Sequence, residues 1–504
     1  MSELGESVLR GPEEGRSTYR CEYLVIGSGA GGSVAACLIA EAGRDVLLLE
    51  EGDFYTGKGI TPLNTSQAIS EMYRNTAIVP FFGLPAIPFA EARCVGGGTM
   101  VNGALIWRTP PSVLENWTDE LGLTDFRQSQ FESYFKTVER DIKVVEHELE
   151  TEANLDSLKL SNGAQALGWR TEMARRAVER CVNINLCPVG CYGCGKQNTQ
   201  RNYLLRAVDN GARILCRTRA KRIVHSNGVA HEVVAETGEG SSRRTIRIVF
   251  DHLVVSAGAI QTPHLLRKSR VSRRAGKNLQ FHMNLKFIAR FPDRINADHG
   301  TIFTVQLQEF IDDGLLVMAS NMNPHFLSTT MAHHGNEAVD HALDNYGFCG
   351  LYVAMIRPRS QAHVLSLTGR QPLVWYRFEP EDTELIKFAF RKTAELLFAG
   401  GAVELYIPTV GSAPIYSVGE LEDRIDRLSS RSVEITSVHA MASCPMGVNE
   451  DSSVTRPDGR VWGMENVIVT DASVLPTSIG ESPQGTIMAI AHKITNEYLA
   501  TNGA

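Results

Sequence analysis

The chain has 504 residues, a formal net charge of -7, 43% hydrophobic and 21% charged residues. This is the profile of a globular protein too long for a single core, and its mild acidity gives no general basis for binding nucleic acid or an anionic membrane. Ten cysteines in this length are too few for a disulfide scaffold.

The first 20 residues are polar, carry both charge signs and lack the apolar stretch of a secretory signal, so they read as a loose tail. No run reaches the ~18 apolar residues of a membrane helix, and the expected location is the cytoplasm. The first clear element is the apolar run Tyr23–Ile26, a buried strand. It breaks into Gly27-Ser28-Gly29-Ala30-Gly31-Gly32, with the spacing G-x-G-x-x-G at Gly27, Gly29 and Gly32. A helix is expected over 33–42, closed by Gly43, then a second strand Val46–Leu49 ending at Glu50. Together these form a dinucleotide-binding βαβ unit. Gly27 permits the tight turn, Gly29 (with Ala30 beside it) lets backbone approach a pyrophosphate at the helix N-terminus, and Gly32 lets helix pack on strand. Glu50 is placed to accept hydrogen bonds from a ribose, which argues against a 2′-phosphate and so against NADP.

Residues 53–93 show little periodicity and read as a covering loop with short helices. Cys94-Val95-Gly96-Gly97-Gly98-Thr99-Met100-Val101-Asn102-Gly103 suits backbone packed against a flat ligand, because the glycines present no Cβ. Residues 112–142 carry Leu114, Trp117, Phe131, Tyr134, Phe135 and Val138 at helical spacings, as core. A helix pair is expected over 155–180, another helix over 199–209, and short strands at 212–215 and 223–224 with a hairpin turn at Ser226-Asn227-Gly228. Strands at 246–250 and 252–256 precede a helix at 264–268. The basic run 267–274 reads as a solvated loop rather than a docking patch. From 284 to 428, alternating segments at 286–290, 302–306, 315–319 and 351–355 point to an antiparallel sheet, with a helix over 382–398. The last block returns to glycine-rich turns, a strand at 466–470 and a helix over 486–499.

In that order the chain resembles the glucose-methanol-choline (GMC) flavoprotein oxidoreductases over roughly residues 20–500. Gly27–Gly32 with Glu50 resembles the family's FAD pyrophosphate and ribose site. Gly96–Gly103 is similar to its Gly-Gly-x-Ser/Thr-x-x-Asn-Gly segment, and 256–266 to its Gly-Ala-x-x-Thr-Pro-x-Leu-Leu signature. Gly276-Lys277-Asn278-Leu279-Gln280-Phe281-His282 resembles Gly-x-Asn-Leu-x-Asp-His, with Phe281 in place of Asp. His439–Gly447 and Asp471–Thr486 resemble the C-terminal catalytic and flavin segments.

The resemblance implies α/β and α+β architecture: a Rossmann-like FAD-binding domain of the GMC/p-hydroxybenzoate hydroxylase type, 20–283, an interleaved antiparallel-sheet substrate domain, 284–428, and a C-terminal return with the catalytic residues, 429–504. It implies FAD as cofactor, a small-molecule alcohol as substrate and an external electron acceptor: oxygen, a quinone or a protein. It places FAD contacts at Gly98, Thr99, Asn102, Gly103, Ala257, Asp471, Ala472, Pro483, Gln484 and Thr486, beside the fingerprint. Oxidising an alcohol requires a proton acceptor, a role suited to imidazole, and His439 falls on the family's catalytic histidine; without the resemblance it ranks no higher than the other histidines. Ser482 stands where the family has His or Asn. Serine donates one hydrogen bond but is no base near neutral pH, and the adjacent Glu481 could point inward instead.

Cys181, Cys187, Cys191 and Cys194 fall within 14 residues. Three readings stand: iron–sulfur or metal ligands, one or two local disulfides, and packed thiols beside the active site, the last being preferred. A non-redox lyase on this scaffold, with His439 as acid/base, and a catalytically inactive flavin-binding partner protein remain alternatives.

Overall fold

The computed structural model describes residues 4, 8–11, 16–55, 64–146, 154–191, 195–238, 242–320, 322–366 and 371–502. Six parallel strands form the cofactor-side sheet in the order Val8–Arg10, Arg213–Cys216, Val46–Leu49, Tyr23–Ile26, His252–Val255, Val467–Val469. Tyr23–Ile26 and Val46–Leu49 are buried throughout, as strands of a parallel sheet covered on both faces must be, and their apolar runs are accordingly unbroken. Helices Ala30–Glu41 and Gln484–Asn502 pack together on this sheet.

The second sheet is antiparallel, in the order Glu404–Tyr406, Met283–Arg290, Cys349–Ile356, Leu315–Ala319, Val305–Leu307, Thr171–Met173. Helices Leu155–Leu167 and Pro380–Ala399 cover one face; the Tyr352 hydroxyl donates to the Asp156 carbonyl from that face. The other face, with Leu351, Val353 and Met355, looks into the central cavity.

Several elements depart from the sequence reading. The expected helix pair over 155–180 is one helix, stopped at Gly168 in a left-handed cap of φ +71°. The chain then turns into strand Thr171–Met173, which completes the antiparallel sheet from within 20–283. The covering segment holds a helix, Thr65–Met72, started by an Asn64–Gln67 capping box, and a hairpin, Val79–Phe82 with Ile87–Phe89. That hairpin pairs with Leu373–Tyr376. Val8–Arg10, read as tail, is tied to the sheet edge. The Asn227-Gly228 turn closes the hairpin as expected, with φ +49° and +79°.

Candidate active site

Gly27 leaves its strand with φ +97°, and a Cβ there would meet the Ser256 carbonyl oxygen at 2.1 Å. The helix starts at Ala30, with Gly29 as N-cap and no side-chain cap. Its first N–H groups therefore carry no side-chain acceptor at the cavity wall, where Gly29, Ala30 and Gly31 stand. A Cβ on Gly29 would meet nothing within 4 Å, whereas one on Gly31 would meet the Thr470 oxygen at 1.9 Å and one on Gly32 the Gly27 oxygen at 2.0 Å. Gly29 is thus open to a ligand, while Gly31 and Gly32 are packing positions. Glu50 ends the second strand on the same wall. It accepts from the Ser28 hydroxyl at 2.6 Å and from the Gly52 N–H at 2.8 Å. Burial pushes its carboxyl up and these hydrogen bonds oppose the shift. Ser28, which sequence reasoning passed over, also accepts from the Gly96 N–H at 2.9 Å and so joins fingerprint to glycine segment.

Gly98, Asn102 and Gly103 line the cavity, with Thr99 holding the Gly96 carbonyl at 2.7 Å. Asn102 donates to the Gln484 side chain and accepts from the Ala104 N–H, linking the segment to the start of the last helix. Ala257, Asp471, Ala472, Pro483 and Gln484 are on the wall too. Asp471 accepts from the Gly258 N–H, the Thr262 hydroxyl and Ser473. Thr486 is fully buried, its hydroxyl 2.8 Å from that of Thr109. It begins a helix, and its first-turn position turns it towards the core. The cavity enclosed by all these elements is about 940 Å³, at the upper end for ligand pockets.

The substrate-side wall is built on a change of register. Phe281 pairs with Ala440 and Asn284 with Thr436, so residues 282 and 283 face three residues, 437–439. That is a β-bulge, a device that re-aims side chains. It brings His439 to the cavity although it is three residues from Thr436, which also lines it. His439 Nδ1 lies 3.2 Å from His282 Nδ1. The Gly480 N–H donates to His282 Nε2 at 3.1 Å, so neutral His282 carries its proton on Nδ1 and donates to His439. Burial lowers His439 to about 4 and pulls His282 well down as well. Both imidazoles are neutral at ordinary pH. His282 was visible only as the last residue of a quoted motif; its pairing with His439 arises from the bulge.

Ser482 lines the cavity with His439. Glu481 does not: its carboxyl accepts from Gln308 at 2.7 Å, and burial pushes it up to about 8, a neutral acid inside the protein. Arg74 fastens the covering segment, donating to Glu51 at 2.9 Å and to Glu91 at 2.7 Å.

The cysteine segment lies beside Gly96–Gly103. Buried Lys196 donates to the carbonyls of Met100, Asn102 and Cys187 at 2.6, 3.0 and 2.7 Å, holding the segments together. Arg176 donates to the Cys187 sulfur at 3.5 Å. The Cys187 thiol donates to Cys191, which lowers Cys191 and raises Cys187. Cys181, Cys187 and Cys191 are free thiols; Cys194 lies outside the described residues. Among the described residues no group of three or more His, Cys, Asp or Glu is arranged to hold a metal ion, and no helix is long and apolar enough to cross a membrane.

Residues 21–284 and 366–491 match the N- and C-terminal profiles of the GMC oxidoreductases. The chain belongs to this family. A GMC-type oxidoreductase of Sinorhizobium fredii is 30% identical over 482 residues, 95% of this chain and 94% of the relative. A long-chain-alcohol oxidase of Arabidopsis thaliana is 27% identical over 98% of this chain and 70% of the relative. Among solved structures, a formate oxidase superposes with a TM-score of 0.78 over 97% of this chain and 99% of that one, at 15% identity, a likeness of fold. This GMC oxidoreductase is an FAD-dependent enzyme acting on CH–OH groups. Its residues fit that cofactor: an uncapped helix N-terminus with open Gly29 for the pyrophosphate, Glu50 for the ribose, and the glycine-lined wall at Gly98 for a flat ring.

Proposed function

We propose that this GMC oxidoreductase oxidises an alcohol to a carbonyl compound, with His439 accepting the hydroxyl proton and Ser482 orienting the substrate oxygen. The observation that carries the reading is a neutral imidazole on the cavity wall, held at Nδ1 by a second histidine and with Nε2 left as its other nitrogen. The long-chain-alcohol oxidase among the relatives supports the substrate class. Bound FAD supplies the hydride acceptor.

The resting hydrogen-bond chain puts the proton of His439 on Nε2, because Nδ1 accepts from His282. Proton acceptance at Nε2 therefore requires the His439 proton to move to Nδ1 and the His282 proton to Nε2. That sacrifices the Gly480 hydrogen bond and turns the His282 Nε2–H against the Gly480 N–H, leaving buried donors unpaired at about 1–3 kcal/mol each. In the resting arrangement the Nε2–H holds the substrate oxygen as an acceptor. Ser482 offers a second hydroxyl on the same wall. Pro483 and Gln484, at the start of helix Gln484–Asn502, lie on the same wall, where backbone N–H groups of a helix N-terminus favour negative charge.

The test is anaerobic bleaching of the bound flavin by alcohols. His439→Ala should slow bleaching by roughly 10²–10⁴-fold with FAD content intact. Ser482→Ala should lose about one hydrogen bond, ~0.5–1.5 kcal/mol. Near-normal bleaching by the His439→Ala protein overturns the assignment.

A further inference from the structure

The cavity wall carries a second polar cluster that proton transfer at His439 does not use. Segment 434–439 runs antiparallel to Met283–Arg290 through the Asn284–Thr436 bridge, which sets Lys286 opposite Glu434. Asn284 and Lys286 line the cavity, while Leu285 and Phe287 between and beyond them are core residues. At ~3.4 Å per residue, Lys286 stands about 13 Å along the strand from His282. Between the two ends the neighbouring strand presents Met355 opposite Asn284 and Val353 opposite Lys286, both on the cavity wall.

Three polar groups on this wall have no partner among the described residues. The Lys286 ammonium makes no hydrogen bond or ion pair among the described residues, although it is enclosed enough for burial to pull its pKa down. The Thr436 hydroxyl and His333 Nε2 are buried with no hydrogen-bond partner among the described residues. Burial and the neighbouring cations hold His333 at about 4, so its ring is neutral. Glu434 shares the wall, and its charge opposes that downward shift without an ion-pair contact. An ammonium enclosed without a contacting anion is unfavourable. The Thr436 hydroxyl and the His333 ring, which feels the Lys286 charge, share the cavity wall with it and make up a set able to donate to one acceptor-rich group.

We propose that Lys286, Thr436 and His333 bind a carboxylate at the far end of an elongated alcohol. The substrate is then a hydroxy acid whose hydroxyl sits at His439 and whose chain passes Met355 and Val353. An extended alkyl chain with C–C bonds of ~1.5 Å advances about 1.3 Å per bond, so the span corresponds to about ten bonds between the two functional carbons. This rests on the alcohol-oxidation reading above.

The experiment compares ω-hydroxyundecanoate with undecan-1-ol as reductants of the FAD-loaded protein under anaerobic conditions. The hydroxy acid should half-saturate at a concentration at least tenfold lower. Lys286→Met, and independently Thr436→Val, should shrink that preference, the lysine change by about 10–100-fold, the worth of a charge-assisted hydrogen bond; Lys286→Arg should restore part of it. Equal half-saturation by the two compounds in the unmodified protein, or a preference unchanged in Lys286→Met, overturns the proposal. If neither compound bleaches the flavin, the alcohol reading fails instead. Calorimetry with undecanoate, which has no hydroxyl, then decides the carboxylate site alone: binding lost in Lys286→Met supports it, and equal or absent binding overturns it.

Discussion

Acidification should leave His439 competent far below the pH at which a free imidazole protonates. The perturbation is a fall from pH 8 to pH 5. Burial disfavours the charged ring and holds His439 at about 4; His282, the ring in contact with it, is also held neutral, by burial, His439 and Arg357. At pH 5 a group of pKa 4 is ~0.9 neutral, whereas an unshifted imidazole at 6.5 is ~0.03 neutral, a difference of about thirtyfold in available base. The assay is stopped-flow anaerobic bleaching at saturating alcohol, with bound FAD measured in each sample. The expected profile is nearly flat from pH 8 to 5. A thirtyfold fall with its midpoint near 6.5, in protein that still holds FAD, refutes the argument that burial sets the proton affinity of this ring. Stability, unlike activity, falls over this range. Unfolded histidines protonate below about 6.5 while these folded rings stay neutral, so their contribution is present above 6.5 and is lost as pH falls towards 4. His264, His333 and His492 are also held at about 4 and add to the loss. The FAD control separates this unfolding from the chemistry.

Two further predictions follow from packing. Gly29→Val should give folded protein without FAD, since its Cβ meets only open cavity, whereas Gly31→Ala should fail at folding, since its Cβ strikes the Thr470 carbonyl; circular dichroism and FAD absorbance together separate the cases. Arg74→Met leaves largely buried Glu91 with only the Gln261 amide at 3.3 Å and Glu51 with Arg219 at 3.6 Å, and should destabilise by up to about 3–5 kcal/mol, read as a lowered melting temperature and faster loss of FAD on dilution.

The parts of this fold legible in the sequence are those where one physical demand acts on each residue. Tyr23–Ile26 and Val46–Leu49 are covered on both faces, so every position is apolar, and Gly27 needs a backbone that only glycine adopts freely. The helix after them begins at Ala30 rather than at 33, because Gly31 and Gly32 read as turn residues while tertiary packing against Thr470 and Gly27 holds them helical. The strand Thr171–Met173 was hidden because its partner, Val305–Leu307, is over a hundred residues away. The resemblance marked His439 but not the bulge that aims it, since an extra residue in one strand leaves no mark until the pairing is known. Lys286 sits in Met283-Asn284-Leu285-Lys286-Phe287, an alternating segment; that its polar face meets a cavity and not solvent depends on the sheet packed opposite. Glu481 and Ser482 are adjacent, and adjacency alone cannot tell which one faces inward.

The order of strands in the parallel sheet also bears on how the protein is made. Its edge strand, Val467–Val469, joins His252–Val255 only after more than two hundred intervening residues have been synthesised, and the helix packed beside the fingerprint helix, Gln484–Asn502, comes later still. A ribosome-bound chain that has emitted the nucleotide fingerprint and everything through the substrate sheet still presents His252–Val255 with one side unpaired, an open apolar edge of the kind that recruits other strands. Cofactor capture therefore waits until Val467–Val469 and helix Gln484–Asn502 have been made, and premature termination even near residue 460 should yield an aggregation-prone polypeptide rather than a smaller flavoprotein.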